Sequence, residues 1–224
     1  MTANKYGNFL TIILVVLIVA ILVGGGILVY NIAFKPKKQE DKKIEAFAEL
    51  DKNSSNKEEE VEVEEEFVGN TIAPPDESSI PSSGTTNRKT YYEGFVMLGY
   101  ITIPKTNVKE PILDVVTPEA LDTAVAVLYP SNPQLNEPGN VVIIGHNYRN
   151  GKFFSDNKKL SVGDKVLIKD ATGRELSYTI YQKFQTSEQD TSFYTRDTNG
   201  VPEITLSTCT DDSKARIIIL AKAD

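Results

Sequence analysis

The sequence predicts an all-β domain behind an N-terminal membrane helix. The domain is expected to be a closed or nearly closed β-barrel of about seven to eight strands with one or two short helices. Short runs rich in β-branched residues recur from residue 91 to the end, separated by Pro and Gly turn signals. Only one stretch in that region carries a clear helix start signal. Upstream, residues 9–30 form an uncharged run of 22 residues.

That uncharged run is long enough to cross the roughly 30 Å hydrocarbon core of a membrane as a helix. A cleaved signal peptide is the alternative. The run exceeds the ~7–15 apolar residues of a signal peptide, and Lys35 to Lys38 follow where a small-residue cleavage site would lie. We therefore expect an uncleaved anchor at 9–30 after a short cytoplasmic segment, 1–8. The lysines that follow the anchor outnumber Lys5, so the positive-inside rule taken alone favours a cytoplasmic C-terminal side. The rule is weak for a first segment followed by a long domain, which leaves the orientation open.

Residues 31–90 are expected to form an acidic, Pro- and Ser-rich stalk. Between residues 40 and 77 there are 14 acidic residues and four lysines, and residues 71–87 are rich in Pro, Ser and Thr. Apolar residues are sparse in 37–50, so we expect no buried core there. From residue 95 onward the charges nearly balance, at 16 acidic and 14 basic, so the net charge of −7 belongs to the stalk and indicates no nucleic-acid partner.

The folded domain is expected to occupy residues 91–224, a size that supports one core. Thr117-Pro118-Glu119 resembles a helix N-cap followed by Pro and an acid, which predicts a short helix over 120–128. The predicted strands are 96–103, 111–116, 141–144, 165–169, 175–183, 203–209 and 216–222.

The last two predicted strands flank a six-residue polar loop and hold the only cysteine of the chain, Cys209. Residues two apart share one face of a strand, which places Ser207 with Cys209 and Arg216 with Ile218. The pattern lets a thiol and a guanidinium meet at one sheet edge. The alternative is that a lone cysteine at a strand end is a small core residue.

His146, the only histidine, follows the predicted strand 141–144. A thiol reacts near neutral pH only with a nearby base or cation, and a cysteine and a histidine at separate strand ends are typical of such sites. One Cys and one His make no zinc set, Asp211 and Asp212 lack calcium-loop spacing, and Gly24 to Gly26 lie in the anchor. No acid pair is singled out for glycoside hydrolysis. No cofactor is expected. Calcium activation is left open, although nothing in the sequence indicates it.

The segment Thr205-Leu-Ser-Thr-Cys209, followed by Arg216 and a final apolar strand, resembles the signature of the sortases. These are membrane-anchored cysteine transpeptidases of Gram-positive bacteria. The segment Asn136-Glu-Pro-Gly-Asn-Val-Val-Ile-Ile-Gly-His146 resembles their histidine segment, and the intervening Phe153-Phe154 and Gly163-Asp164 match their spacing. The resemblance spans about residues 98–222 and implies a sortase-like closed barrel.

The resemblance implies that Cys209 is the nucleophile, His146 the general acid/base and Arg216 the residue that positions substrate and stabilises oxyanion charge. Family members cut a sorting signal similar to Leu-Pro-x-Thr-Gly (LPxTG) after Thr and join it to a cell-wall precursor or a pilin lysine. The implied partners are therefore secreted proteins with a C-terminal LPxTG-like signal and an amine acceptor. The family also implies that the catalytic domain lies outside the cell membrane, on the cell-wall side.

Strand periodicity adds candidate substrate contacts. Ile144 shares a face with His146, Ser207 with Cys209 and Ile218 with Arg216, while Thr208 matches a position of the family motif. The alternative is that Ile144 and Ile218 are barrel core and that Thr208 only packs.

Departures from the family pattern bear on the subclass. The sequence shows no C-terminal anchor and no Asp-Pro-aromatic lid, which pilin-polymerising members are expected to have. The connection at 181–204 lacks the long helical insertion of class B. We therefore expect a class D-like or unassigned member, with class B less favoured.

Two rival functions follow from the same residues. An L,D-transpeptidase is also β-rich, but its Ser-His-Gly-Cys-x-Arg cluster is absent. A tethered, non-catalytic barrel that binds wall or protein ligands predicts a Cys209 sulfur more than ~7 Å from both the imidazole and the guanidinium.

Overall fold

Two long α-helices precede the β-rich part of the chain. The computed structural model describes residues 3–30, 35–62 and 89–224, and the chain divides into two compact units, residues 1–44 and 45–224. Helix α1 spans Ala3–Val29 and helix α2 spans Lys35–Glu62. Within α1, the segment Phe9–Val29 has a mean hydropathy of 3.3 and buries no residue. Its length and composition suit a membrane span, although a signal sequence near the N-terminus has the same properties.

Helix α2 corrects the expectation for the start of the stalk. Phe47 and Leu50 are buried, so the prediction that residues 37–50 bury no core is wrong. The two side chains are three residues apart and share one helix face. They pack against side chains of the second unit: Tyr92, Met97, Tyr100, Leu113, Ala120, Ala124 and Ala126. The expectations for residues 63–88 lie outside the described residues.

Polar contacts also hold α2 against the strands. Asp51 forms an ion pair of 2.9 Å with Lys169, and Asn53 donates a 3.1 Å hydrogen bond to Thr90. The Lys109 ammonium lies 4.9 Å from the ring centres of both Phe47 and Tyr100. The stretch of α2 from Phe47 to Asn53 is therefore part of the folded domain.

The described residues contain nine strands and one further α-helix, α3 (Pro118–Thr123). The strands are β1 Thr90–Tyr92, β2 Phe95–Ile103, β3 Val108–Leu113, β4 Val125–Tyr129, β5 Gly139–Ile144, β6 Lys165–Asp170, β7 Glu175–Thr186, β8 Pro202–Cys209 and β9 Arg216–Ala223. Single 3-10 turns occur at Pro104–Thr106 and Asn157–Lys159.

The strands close into a barrel. Their order is β1-β2-β3-β4-β5-β8-β9-β7-β6, and β6 also pairs with β2. Eight strands therefore form a closed ring, with the short β1 added beside β2. The pairs β3–β4 and β5–β8 are parallel, and the other pairs are antiparallel. The predicted closed barrel is confirmed.

The barrel interior takes alternate residues of every strand of the ring. On β8, Ile204 and Leu206 point into the main core, and on β9 Ile217 and Ile219 do the same. The residues between them face outward, because successive side chains of a strand alternate. The outward face of β5, β8 and β9 carries Ile144, Ser207, Cys209, Arg216 and Ile218, whereas Thr208 lies on the opposite face of β8.

Two predicted elements differ from the observed ones around α3. The predicted strand 111–116 is Val108–Leu113, and the helix predicted over 120–128 ends at Thr123. The helix start is as expected, because the Thr117 hydroxyl accepts a 3.1 Å hydrogen bond from the Ala120 amide. After Ala124, residues 125–129 (Val-Ala-Val-Leu-Tyr) form β4, because the chain gains barrel pairing on both sides there.

Candidate active site

Parallel pairing of β5 with β8 brings the histidine and cysteine segments together. Ile144 lies opposite Ser207 in the register, and His146 and Cys209 each follow two residues later. Beyond the strand ends, the Gly145 amide donates to the Ser207 carbonyl at 3.2 Å and the Thr208 hydroxyl donates to the Gly145 carbonyl at 2.8 Å. His146 and Cys209 therefore occupy adjacent strand ends at one edge of the barrel.

Gly145 lets the histidine segment lie close to the core. A Cβ atom at this position would lie 2.8 Å from a Val125 methyl and 2.9 Å from the Phe154 ring. The amide of Phe154 donates to the His146 carbonyl at 3.2 Å, which fixes the backbone that carries the imidazole. A side chain at residue 145 would therefore force Val125, Phe154 or the backbone that carries His146 to shift.

Cys209 and Arg216 face each other across the β8–β9 pair. Arg216 Nη1 donates to the Cys209 sulfur at 2.8 Å. The thiol is free and partly exposed. A guanidinium at this distance stabilises the thiolate, which is the reactive form of cysteine. This contact and the partial exposure of the thiol argue against a buried core cysteine. The contact also disagrees with the non-catalytic barrel, which predicts a sulfur remote from the guanidinium.

The loop between Cys209 and Arg216 is closed by its own hydrogen bonds. The Thr210 amide donates to the Ala215 carbonyl at 2.9 Å, and the Thr210 hydroxyl accepts from the Ala215 amide at 3.1 Å. The hydroxyl also donates to Asp212 at 2.6 Å. These contacts hold the two strand ends in register, so that Cys209 and Arg216 stay opposite each other.

Asn147 ties the histidine segment to this loop. Its side-chain amide nitrogen donates to the Cys209 carbonyl oxygen and to the Asp211 carboxylate, each at 3.0 Å. Lys158 also binds Asp211, at 2.7 Å, and the hydrogen bonds from Lys158 and Asn147 hold the pKa of Asp211 below its ordinary value. The residue after the histidine thus fixes the residue that carries the thiol.

The imidazole of His146 has a carboxylate and a phenol beside it. His146 Nε2 lies 3.8 Å from Asp122 Oδ1, and the Tyr148 ring centre lies 4.9 Å from that of His146. The Tyr148 hydroxyl donates to the same Asp122 oxygen at 2.5 Å. Burial raises the pKa of Tyr148 to about 12, and the hydrogen bond to Asp122 acts in the same direction. Tyr148 is therefore a neutral donor that holds the carboxylate beside the imidazole.

The candidate substrate contacts lie in different environments. Ile144 is partly exposed beside the site, and Ser207 is buried on the same outward face as Cys209. Ile218 is fully buried, under a cluster with Val142, Phe193 and Leu220. Thr208 is also buried, and its hydroxyl is engaged with the Gly145 carbonyl. Of the four residues, only Ile144 is partly exposed, and it also packs against the cluster that contains Ile218.

The β7–β8 connection, residues 187–201, covers the far half of the outward face, which is the half formed by the first residues of β5 and β8, away from Cys209. Asn140 donates to the carbonyls of Phe193 and Tyr194 at 3.1 and 2.9 Å. Arg196 forms a 2.6 Å ion pair with Glu203 and donates to Thr205 at 2.7 Å. These bonds explain why Ile218 is buried. A peptide that reaches the far half of this face has to displace Phe193.

Three charged or aromatic contacts were not found by sequence reasoning: Asp122, Tyr148 and Glu188. Glu188 Oε1 lies 2.5 Å from Arg216 Nη2, although the two residues are far apart in sequence. Asp122 lies on α3, and only the closed barrel brings that helix beside His146. The sequence carries only a weak signal for these contacts, which is that an aromatic residue, Tyr148, follows the only histidine by two positions.

The arrangement has the parts of nucleophilic catalysis at a carbonyl group. A thiol contacts a fixed cation, and an imidazole, a group that can carry protons, lies on the neighbouring strand end. The cation can also offset negative charge that develops on a carbonyl oxygen. Among the described residues, no group of three or more His, Cys, Asp or Glu side chains is arranged to hold a metal ion.

Comparisons with known proteins agree with this geometry. A family model described as a sortase domain matches residues 101–224, more than half of the chain. A Clostridium perfringens sortase D5 transpeptidase is 30% identical, with 57% of this chain and 79% of that chain covered and a TM-score of 0.51. Sortase C1 of Streptococcus agalactiae in complex with MTSET is 26% identical, with 57% and 67% covered and a TM-score of 0.51.

A lid mutant of sortase A from Corynebacterium diphtheriae is 23% identical and shares the fold, with 57% of this chain and 70% of that chain covered at a TM-score of 0.51. No curated protein matches the chain. The match of the family model to most of the barrel decides the assignment: the chain belongs to the sortase family of cysteine transpeptidases.

Proposed function

We propose that this protein cleaves an LPxTG-like sorting signal through a thioester on Cys209 and transfers the cleaved protein to a cell-wall or pilin amine. The observation that carries the proposal is the 2.8 Å contact between Arg216 Nη1 and the Cys209 sulfur, on the strand that pairs with the histidine segment. If the contact served only packing, an apolar residue would fill the position better than a guanidinium. The guanidinium has a clear role in keeping a thiolate ready for attack.

The acylation step uses all three residues. The Cys209 thiolate attacks the carbonyl carbon of the Thr–Gly amide bond, and Arg216 offsets the charge that develops on the oxygen. His146 gives a proton to the departing amine, the C–N bond breaks and a thioester remains. His146 then removes a proton from the acceptor amine, which attacks the thioester, forms a new amide bond and releases the thiolate.

Ile144 and Ser207 are proposed to contact the peptide beside the catalytic residues. Both belong to the outward face that carries Cys209, and Ile144 is partly exposed. Ile218 and Thr208 complete the set that the sequence suggests. For Ile218 the role requires that Phe193 moves, because the two side chains share one buried cluster.

The proposed location is the cell membrane, with one span and the barrel on the cell-wall side. The apolar segment Phe9–Val29 supports the anchor. The five lysines between residues 35 and 43 depart from the positive-inside rule, and we propose that they contact anionic lipid or wall polymers. Protease treatment of intact cells tests the orientation, since protection of the barrel would place it in the cytoplasm.

The class D-like assignment, the absence of a cofactor and a cell-wall or pilin amine as the acceptor stay predictions. The 30% identity to a sortase D5 transpeptidase supports the class D-like assignment. Acceptor amines are best distinguished by offering diaminopimelate, oligoglycine and lysine peptides in parallel.

The activity test uses the full chain in detergent micelles. The chain is mixed with a panel of peptides based on Leu-Pro-x-Thr-Gly and an amine acceptor, and mass spectrometry follows both the thioester on the protein and the transfer product. Cys209→Ala serves as the matched control because it removes only the sulfur. If the folded wild-type chain forms neither a thioester nor a product with any peptide of a broad panel, the proposal fails.

A further inference from the structure

The β7–β8 connection supplies a carboxylate to the guanidinium that contacts the Cys209 sulfur. Arg216 Nη1 lies 2.8 Å from the sulfur and Arg216 Nη2 lies 2.5 Å from Glu188 Oε1. We propose that Glu188 is a positioning residue that orients Arg216 toward the nucleophile. The inference rests on the proposed roles of Cys209 and Arg216, and it adds a residue that acts through Arg216 without touching the substrate.

The strand register places Glu188 at the guanidinium. Thr186, the last residue of β7, pairs with Arg216 at the start of β9, and Glu188 follows two residues later. Arg216 thus has Cys209 on one neighbouring strand and the end of β7 on the other. A carboxylate just beyond the end of β7 meets the guanidinium from the side opposite the sulfur.

A turn closed by Asp190 fixes the chain that carries Glu188. The Thr186 hydroxyl donates to Asp190 at 2.5 Å, and the Ser192 amide donates to the same carboxylate at 2.9 Å. Hydrogen bonds from the Ser192 side chain first, then from the Thr186 hydroxyl and the Ser192 amide, hold the pKa of Asp190 below its ordinary value. The Asp190 amide also donates back to the Ser187 carbonyl at 3.3 Å. Glu188 lies inside this turn and therefore presents its carboxylate from a fixed backbone.

The shape of the guanidinium explains why one carboxylate is sufficient to direct Arg216 Nη1 toward the Cys209 sulfur. The group is planar, and its donors are held in a rigid fork, so fixing one terminal nitrogen fixes the direction of the other. The arginine stem is otherwise long and flexible, and the Arg216 side chain is 31% exposed. Without Glu188 the guanidinium samples other directions, and the sulfur loses its donor for part of the time.

Charge neutralisation is the competing effect, and it predicts the opposite sign. If Glu188 only cancelled the charge of Arg216, its removal would strengthen the attraction between the guanidinium and the thiolate. If Glu188 orients Arg216, its removal weakens that contact and makes the thiol less reactive. The Glu188 side chain is 64% exposed, so solvent screens the long-range charge effect while the direct hydrogen bond survives.

The test measures how fast Cys209 reacts with iodoacetamide, a neutral reagent, at neutral pH in the full chain in detergent micelles. The chain has one cysteine, so a single site is read. We expect Glu188→Ala to slow alkylation about 2–5-fold, the range of an exposed ion pair. Glu188→Gln keeps an oxygen acceptor and should recover part of the rate. The matched control is Glu137→Ala, which breaks the exposed 3.0 Å pair with Arg174 away from Cys209 and should leave the rate unchanged.

A double-mutant cycle then tests whether Glu188 acts through Arg216. In an Arg216→Ala background, Glu188→Ala should produce no further change in alkylation. A rate that is unchanged or faster in Glu188→Ala, in a chain with wild-type circular dichroism, overturns the proposal, and so does an equal effect in both backgrounds. Alkylation needs no peptide, so this result is separate from failure of the transpeptidation test.

Discussion

Replacing Leu50 by alanine tests whether helix α2 is part of the catalytic domain. Leu50 is fully buried against side chains of the barrel, in a helix whose sequence predicts only a solvated stalk. Truncating a buried leucine to alanine costs about 2–5 kcal/mol, because apolar contacts are lost and a cavity remains. In a unit of this size each kcal/mol lowers the melting temperature by about 2–4 °C, so we expect a fall of about 4–20 °C.

The same helix offers a matched control in Ile44, which is 59% exposed. Ile44→Ala removes a side chain of the same size but little buried surface, and exposed substitutions usually change stability by no more than about 0.5 kcal/mol. The assay is thermal unfolding of the full chain in detergent, followed by the circular dichroism of the strands. If Leu50→Ala melts within about 2 °C of Ile44→Ala, the packing of α2 on the barrel does not contribute to the folded domain.

A truncation gives a second measurement of the same feature. A fragment that starts at residue 91 lacks Phe47 and Leu50 and leaves Met97 and Leu113 uncovered. We expect it to melt at a lower temperature than a fragment that starts at residue 45. Equal melting temperatures for the two fragments would contradict the packing argument.

Three further predictions concern the site. Cys209→Ala should abolish the thioester, while Arg216→Ala should slow its formation about 10²–10³-fold without unfolding the barrel, as quenched-flow mass spectrometry and circular dichroism can measure. Thr208→Val should lower stability by about 1–3 kcal/mol, because the buried Gly145 carbonyl loses its donor, and should leave KM for the peptide unchanged; a raised KM with wild-type stability would instead indicate a substrate contact. At pH values below about 10, Tyr148→Phe should lower the melting temperature, because the hydrogen bond to Asp122 is lost. Because the folded-state pKa of Tyr148 is raised to about 12, this stabilisation is complete below about pH 10 and disappears as the pH rises to about 12, so the melting temperatures of the two chains should converge there.

The two halves of the candidate site differ in how far the sequence could predict them. Cys209 and Arg216 flank a short loop between two predicted strands, so the sequence allowed a thiol and a guanidinium to meet at one sheet edge, and the observed register pairs them. His146 is 63 positions from Cys209, and only the parallel β5–β8 pairing joins the two segments. No local pattern predicts that pairing, so the family resemblance supplied it.

The sequence also failed where packing outweighed local preference. Phe47 and Leu50 are two apolar residues in a strongly charged stretch, too few to predict burial, but the barrel supplies the rest of the apolar surface. Residues 125–129 have helical spacing as well as β-branched residues, and barrel pairing on both sides decides for the strand. The contact between Glu188 and Arg216 depends on where β7 ends, which composition does not determine.

The parallel pairing of β5 with β8 also constrains when the site can form during folding. An antiparallel hairpin such as β8–β9 closes locally, but a parallel pair needs a long intervening chain, and here that chain contains β6, β7 and the connection at residues 187–201. Closing so large a loop costs entropy before the pairing contributes stability, which makes such contacts late and slow. The complete site therefore forms only after almost the whole barrel has assembled, and a partly folded chain can pair Cys209 with Arg216 in the β8–β9 hairpin while it still lacks the neighbouring histidine.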